Sequence, residues 1–91
     1  MNTTIWKFEL VRALRQVISM PTGAQIIDAK VQENGIMAIW ALVNPENKKQ
    51  NRDIEIYGTG HEIRKEAGTN LYHRGTVIMD DGLVFHVFER I

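Results

Sequence analysis

Apolar and polar positions alternate with a period of two along most of this 91-residue chain, the mark of strands that turn one face to a core. In residues 5–10, Trp6, Phe8 and Leu10 fall on one face and Ile5, Lys7 and Glu9 on the other, which predicts a first strand with an aromatic core face. Leu10, Val11 and Leu14 share a helical face, but residues 10–15 are too few to hold a helix unaided and read as a connection. Gln16 to Met20 predicts a short strand ended by Pro21, whose missing N–H suits an edge or a strand terminus.

Two hairpins follow from turn chemistry. Ala24 to Val31 and Ile36 to Val43 flank Gln32-Glu33-Asn34-Gly35, and Asn-Gly accepts the positive φ angles of a tight type I′ turn. The second of these strands is apolar on both faces, so it is expected to be central in its sheet or packed against a second subunit. Leu71 to Met79 and Leu83 to Arg90 flank Asp80-Asp81-Gly82, a second hairpin signal. Between the hairpins, residues 44–52 have no apolar member besides Pro45 and read as a solvated, mobile loop. Asp53 to Tyr57 resumes the alternation with Ile54 and Ile56 inward, and Gly58-Thr59-Gly60 ends it. Residues 62–70 read as a polar loop in which Glu62 to Ala67 has the length of one helical turn. The sum is one all-β domain over residues 1–91: an antiparallel β-sandwich or partly open barrel of about seven strands with little or no helix.

Composition adds limits on partners. A chain of this size buries about 60–65% of its unfolded surface, so its core is thin and self-association would support it. Eleven basic and eleven acidic residues cancel, which removes the long-range field of a nucleic-acid binder and lowers the barrier to a homo-oligomer. The absence of cysteine excludes disulfides, thiolate zinc sites and a cysteine nucleophile. Residues 1–7 lack a basic region followed by an apolar run, and no segment has the length of a membrane span, so no membrane partner and a cytosolic setting are expected.

Candidate chemistry is sparse. His61, His73 and His86 lie on or beside three β segments, with Glu62 or Glu89 as further donors, but closely spaced ligand pairs are missing and no metal is expected. His86 shares a face with Val84 and Phe88, which suggests a histidine at the core edge with one ring nitrogen hydrogen-bonded. Ser19 is the sole serine and has no nucleophile elbow around it, and Asp80 and Asp81 are explained by their turn. No catalytic residue, cofactor or enzymatic activity is expected. Gly58-Thr59-Gly60-His61 has the look of a phosphate-cradling fragment, yet it lacks the Gly-Lys-Ser/Thr of a Walker loop and the third glycine of a dinucleotide fingerprint, so a strand-ending turn explains it better. Tyr57, Tyr72 and Arg74 are the aromatic and basic residues expected at the surface, with Tyr72 and Arg74 on a face opposite Leu71, His73 and Val77. Tyr57, Gly58, Thr59, Gly60, His61, Tyr72 and Arg74 therefore form the candidate ligand- or partner-binding set, with a small anion between the turn and the strand face.

The order Ile5-Trp6-Lys7-Phe8-Glu9-Leu10, Met20-Pro21-x-Gly23-Ala24, Trp40-Ala41-Leu42-Val43-x-Pro45, Gly58-Thr59-Gly60-His61 and Val84-Phe85-His86-Val87-Phe88-Glu89 resembles a family of short uncharacterised proteins of bacteriophages and prophages. The likeness spans nearly the whole chain, with residues 11–16 and 44–52 as variable detail. It implies a phage accessory protein in the host bacterial cytoplasm, of a kind that binds and disables host factors such as CRISPR or nucleotide-signalling defences. The expected function is an inhibitor acting by protein–protein binding. Two alternatives are a sponge for a small anionic nucleotide signal and a virion structural or assembly protein.

Overall fold

The computed structural model describes residues 2–91. Seven strands follow one another: β1 (Thr4–Glu9), β2 (Arg15–Pro21), β3 (Gln25–Val31), β4 (Met37–Val43), β5 (Lys49–Gly58), β6 (Leu71–Ile78) and β7 (Val84–Arg90). They form two antiparallel sheets, β1-β4-β3 and β2-β5-β7-β6, and no helix is present among the described residues. The sheets share one core but do not close into a barrel, so the fold is all-β and sandwich-like. Ile39, Ala41, Val43, Ile54, Val77, Val87 and Met20 are almost fully buried at its centre.

Both hairpins form, but neither turn is type I′. That turn needs positive φ at both central residues, whereas only the glycines Gly35 (81°) and Gly82 (86°) have it. In each, the glycine N–H donates three residues back, to Gln32 O or Met79 O, and the residue opening the loop bonds across to Ile36 or Leu83. This is a type I turn closed by a left-handed glycine. Asn34 and Asp81 serve it in a second way: their side-chain oxygens accept from the N–H two residues on, at 3.0 and 3.1 Å.

The doubly apolar strand β4 is the central strand of its sheet. It turns Met37, Ile39, Ala41 and Val43 to the core and Ala38, Trp40 and Leu42 to the opposite face. β2 is an edge strand ending at Pro21, as its missing N–H demands. The run 44–52 is only partly a loop, because β5 begins at Lys49 and its polar start pairs with the end of β2, Met20 opposite Gln50 and Ile18 opposite Arg52. Strand pairing there overrides a composition that favours solvent.

Edge strands β3 and β6 pass each other where Gly75 meets Ala29. A Cβ on Gly75 would lie 2.7 Å from the Ala29 Cβ and 2.9 Å from its backbone nitrogen. The bulge between His73 and Gly75 shifts the β6 register, so Val77 faces the same side as Tyr72 rather than the opposite one.

Candidate functional site

Gly58-Thr59-Gly60-His61 is a tight turn that ends β5, closed by a 3.0 Å bond from His61 N–H to Gly58 O. Its backbone is already engaged. Gly58 N–H donates to His61 Nδ1 at 3.2 Å, and Thr59 N–H donates to Val84 O at 3.3 Å. The His61 ring sits so close to the backbone that a Cβ on Gly58 would lie 2.8 Å from its Cε1. Because Nδ1 accepts, the neutral ring carries its proton on Nε2.

The turn forms one rim of a cleft of about 390 Å³ between the two sheets, lined by Arg12, Leu14, Met37, Ile56, His61 and Phe85 among others. Met37, Ile56 and Phe85 come from strands of both sheets, and Arg12 and Leu14 come from the β1–β2 connection. Gln16 pins that connection, its side-chain amide receiving Val11 N–H at 3.0 Å and donating to Val11 O at 2.9 Å. Leu14 O then accepts Ile56 N–H at 2.9 Å. Arg12 places its guanidinium 5.5 Å above the Phe85 ring, a cation–π contact at the mouth of an otherwise apolar hollow. A second hollow of about 440 Å³, which includes Val11 and Ile36, shares Arg12 and Met37 with the first. Around these two adjoining hollows, which together make the groove, Val11, Leu14 and Ile36 are all exposed.

The remaining candidate residues lie elsewhere. Tyr57, expected at the surface, is buried, and its hydroxyl donates to Glu55 Oε1 at 2.5 Å. Tyr72 is exposed beneath the Arg74 guanidinium, at 5.5 Å, but Arg74 gives Nε and a terminal nitrogen to Glu89 Oε1 at 3.1 and 2.9 Å. Tyr72 stands opposite Glu89 and Gly58 opposite Phe85, four residues apart along β7 or roughly 13 Å at the strand rise. The turn and the Tyr72–Arg74 pair thus do not form one pocket. The histidines do not converge either: His73 and His86 share Thr76 Oγ1 at 2.9 and 3.2 Å, His86 also reaches Thr59 Oγ1 at 2.8 Å, and His61 lies on its own turn. Among the described residues no group of three metal-ligating side chains gathers.

Two buried carboxylates organise the charge. Glu55 accepts from Arg90 at 2.5 and 2.9 Å, from Arg64 at 2.7 Å and from Tyr57, while Arg90 continues to Thr69 Oγ1 and Arg64 O. This cluster ties the 59–70 segment onto β5 and β7. Glu89, facing the inter-sheet space beside Ile54, is held by Arg52 and Arg74, and Arg52 also bonds Ala24 O at 2.9 Å. None of these pairs between neighbouring strands is visible from sequence spacing, and Glu55 between Ile54 and Ile56 has the pattern of an ordinary solvent-facing position.

Arg90, ahead of Tyr57 and Arg64, holds the Glu55 carboxyl down to about 2 against the opposing pull of burial. For Glu89 burial pulls upward, but Arg52 and Arg74 outweigh it and the shift is also downward. A carboxyl whose folded pKa lies below its ordinary 4.5 adds stability above that value and loses it as pH falls toward 2. Urea midpoints are therefore expected to fall steeply between about pH 4.5 and 2, and Glu55→Gln is expected to flatten that slope while lowering the neutral-pH midpoint. An unchanged acid slope in Glu55→Gln would remove Glu55 as its source.

The fold and groove define a small two-sheet β domain with internally neutralised charge and an apolar opening at one end. Residues 1–91 match a domain of unknown function, DUF7352, and the chain belongs to that family. Neither a curated protein nor a solved structure matches it. No helix is long and apolar enough to cross a membrane among the described residues.

Proposed function

We propose that this protein is a non-enzymatic binding protein that works by seating a segment of a partner protein in the groove of Arg12, Leu14, Met37, Ile56, His61 and Phe85. The single observation that carries this is the groove itself: an apolar floor drawn from both sheets, a rim of exposed Val11, Leu14 and Ile36, and Arg12 held over Phe85. An apolar side chain entering it gains burial, and a neighbouring carboxylate on the partner meets Arg12. The carboxylates with shifted acidity are each fixed by two arginines, which suits a structural duty better than proton transfer. With the resemblance to phage and prophage proteins, the partner is a host bacterial protein in the cytoplasm, and the effect is to disable a defence. A nucleotide sponge at the Gly58 to His61 turn has less support, since Gly58 and Thr59 spend their amides internally and Arg74 is held by Glu89.

The test compares the wild type with Leu14→Asp, which puts a charge on the exposed rim and leaves the core untouched. Expression of the wild type in hosts carrying single defences is expected to raise phage plaquing, and a tagged protein to retain one host component. Leu14→Asp is expected to lose both, with binding weakened at least about tenfold, the scale of a lost interface anchor. Equal plaquing and capture by the two proteins would sink the groove as the binding site, and no plaquing effect in any defended host would sink the anti-defence role.

A further inference from the structure

The outer face of the three-stranded sheet carries a charge pattern that fits itself. Three cross-strand rows lie on it: Ile5, Leu42 and Gln25; Lys7, Trp40 and Asp28; Glu9, Ala38 and Lys30, reading from β1 through central β4 to β3. The middle column is apolar, with Trp40 and Leu42 only half-buried, and exposed Ile5 and the bulge residue Ile27 extend it. In two of the three rows the flanking columns carry opposite charges, positive then negative across Trp40 and negative then positive across Ala38.

We propose that this face is a homodimer interface, with a second copy of the chain stacked on it about a twofold axis running along β4. Such an axis keeps each row in place and exchanges its ends, so Lys7 meets Asp28 of the second copy and Glu9 meets its Lys30. Trp40 and Leu42 meet their own counterparts in the middle, while Ala38, already fully buried by its neighbours, takes no part in the contact. A twofold axis across the strands through the Trp40 row sets Lys7 on Lys7 and Asp28 on Asp28, and one between the Trp40 and Ala38 rows sets Lys7 on Glu9 and Asp28 on Lys30; the axis along β4 alone brings Lys7 onto Asp28, and the paired variants below separate it from both. It has the anatomy of a protein interface, apolar at the centre and charged at the rim. Asp28 and Lys30 are half or more exposed and pair loosely with each other at 3.8 Å, while Lys7 donates to Gln32 Oε1 at 2.6 Å and Glu9 accepts from Gln32 Nε2 at 2.9 Å, so each contact across the axis exchanges an exposed contact within the chain for one between copies. Equal numbers of acidic and basic residues leave no net repulsion between copies. The face is only three strands wide at about 4.8 Å per strand, which places the contact among small, weak interfaces. It lies on the sheet's outer side and shares with the groove only Glu9, which borders the second hollow and which the Lys7 and Asp28 variants leave unchanged.

Sedimentation velocity over the micromolar to millimolar range tests it with Lys7→Glu and Asp28→Lys. The wild type is expected to shift from monomer to dimer with concentration. Either variant alone sets like charges across the axis and is expected to weaken dimerisation at least about tenfold. Mixing the two variants restores both contacts: the two replaced positions face each other with opposite charge, and the unchanged Lys7 of one copy faces the unchanged Asp28 of the other. The mixture is therefore expected to associate as the wild type does. Both positions are on the solvent side of the sheet, and circular dichroism with a thermal midpoint confirms that each variant folds. Should one misfold, Glu9→Lys with Lys30→Glu applies the same logic to the next row. A wild type that stays monomeric at millimolar concentration, variants that dimerise unchanged, or a mixture no tighter than its components would each overturn the proposal.

Discussion

Replacing Glu55 by alanine is expected to cost about 3–5 kcal/mol, the scale of breaking a buried ion pair from one side. Domains of this length have roughly 5–14 kcal/mol in all, so the variant should sit close to unfolding at room temperature. The loss is large because Glu55, 1% exposed, joins three donors from three parts of the chain: Arg90 of β7, Arg64 of the 59–70 segment and Tyr57 of its own strand. Without it the Arg90 guanidinium keeps only Thr69 Oγ1 and Arg64 O, neither of them charged. Arg90→Ala should cost less, because Arg64 still neutralises Glu55. Tyr57→Phe should cost least, about 1–3 kcal/mol for the bond its hydroxyl gives the Glu55 carboxylate and the long one it accepts from Arg64 N–H. Denaturant melts give the order, and a thermal midpoint lowered by at least about 12 °C in Glu55→Ala is the companion reading. A Glu55→Ala protein as stable as Tyr57→Phe would show that the cluster is solvated and unimportant. The cluster also reaches function, since it fastens the segment that follows His61 at the rim of the groove.

What the sequence disclosed and what it withheld divide along the range of the interactions. The alternation in Trp6-Lys7-Phe8 and Ile54-Glu55-Ile56 reports strand faces because a period of two is local, and Asn34-Gly35 and Asp81-Gly82 report hairpins because turn chemistry is local too. Turn type was hidden, since only the backbone shows that Asn34 and Asp81 keep negative φ while the glycines take the left-handed angle. Lys49 to Arg52 has the composition of a loop because its strand state comes from β2 alongside it, not from its own residues. The bulge beside Gly75 upset the face assignment of Val77, since a single extra residue reverses the parity of everything beyond it.

The candidate site was legible only at one corner. His61 and Gly58 do line the groove, but its floor residues Met37, Ile56 and Phe85 read from sequence as ordinary core, and Arg12 as part of a connection. A concave surface arises from how two sheets end relative to one another, which no window of sequence contains. The pairs Arg52–Glu89 and Glu55–Arg90 are 37 and 35 residues apart, so their existence depends on the register of β5 against β7.

Gly75 tests how the two sheets are joined, and Gly75→Val is expected to be the second most damaging single change. An added Cβ meets Ala29 Cβ at 2.7 Å, its nitrogen at 2.9 Å and its Cα at 3.2 Å. Two of these atoms belong to backbone and cannot swing aside, so β3 and β6 must separate and pull Ala29 and Val77 out of register with the core. Overpacking of this kind typically costs about 1–3 kcal/mol, with Gly75→Ala toward the lower end and the β-branched valine at or beyond the upper. The Cβ–Cβ clash disappears in the double variant Ala29→Gly with Gly75→Ala, but the approach to the Ala29 nitrogen and Cα persists. Partial rescue is therefore the expected result: the double variant more stable than the sum of its single changes, yet below the wild type. Strict additivity in that cycle would mean the strands do not touch at Gly75, and full rescue would mean that side chains, not backbone, set the distance between the sheets.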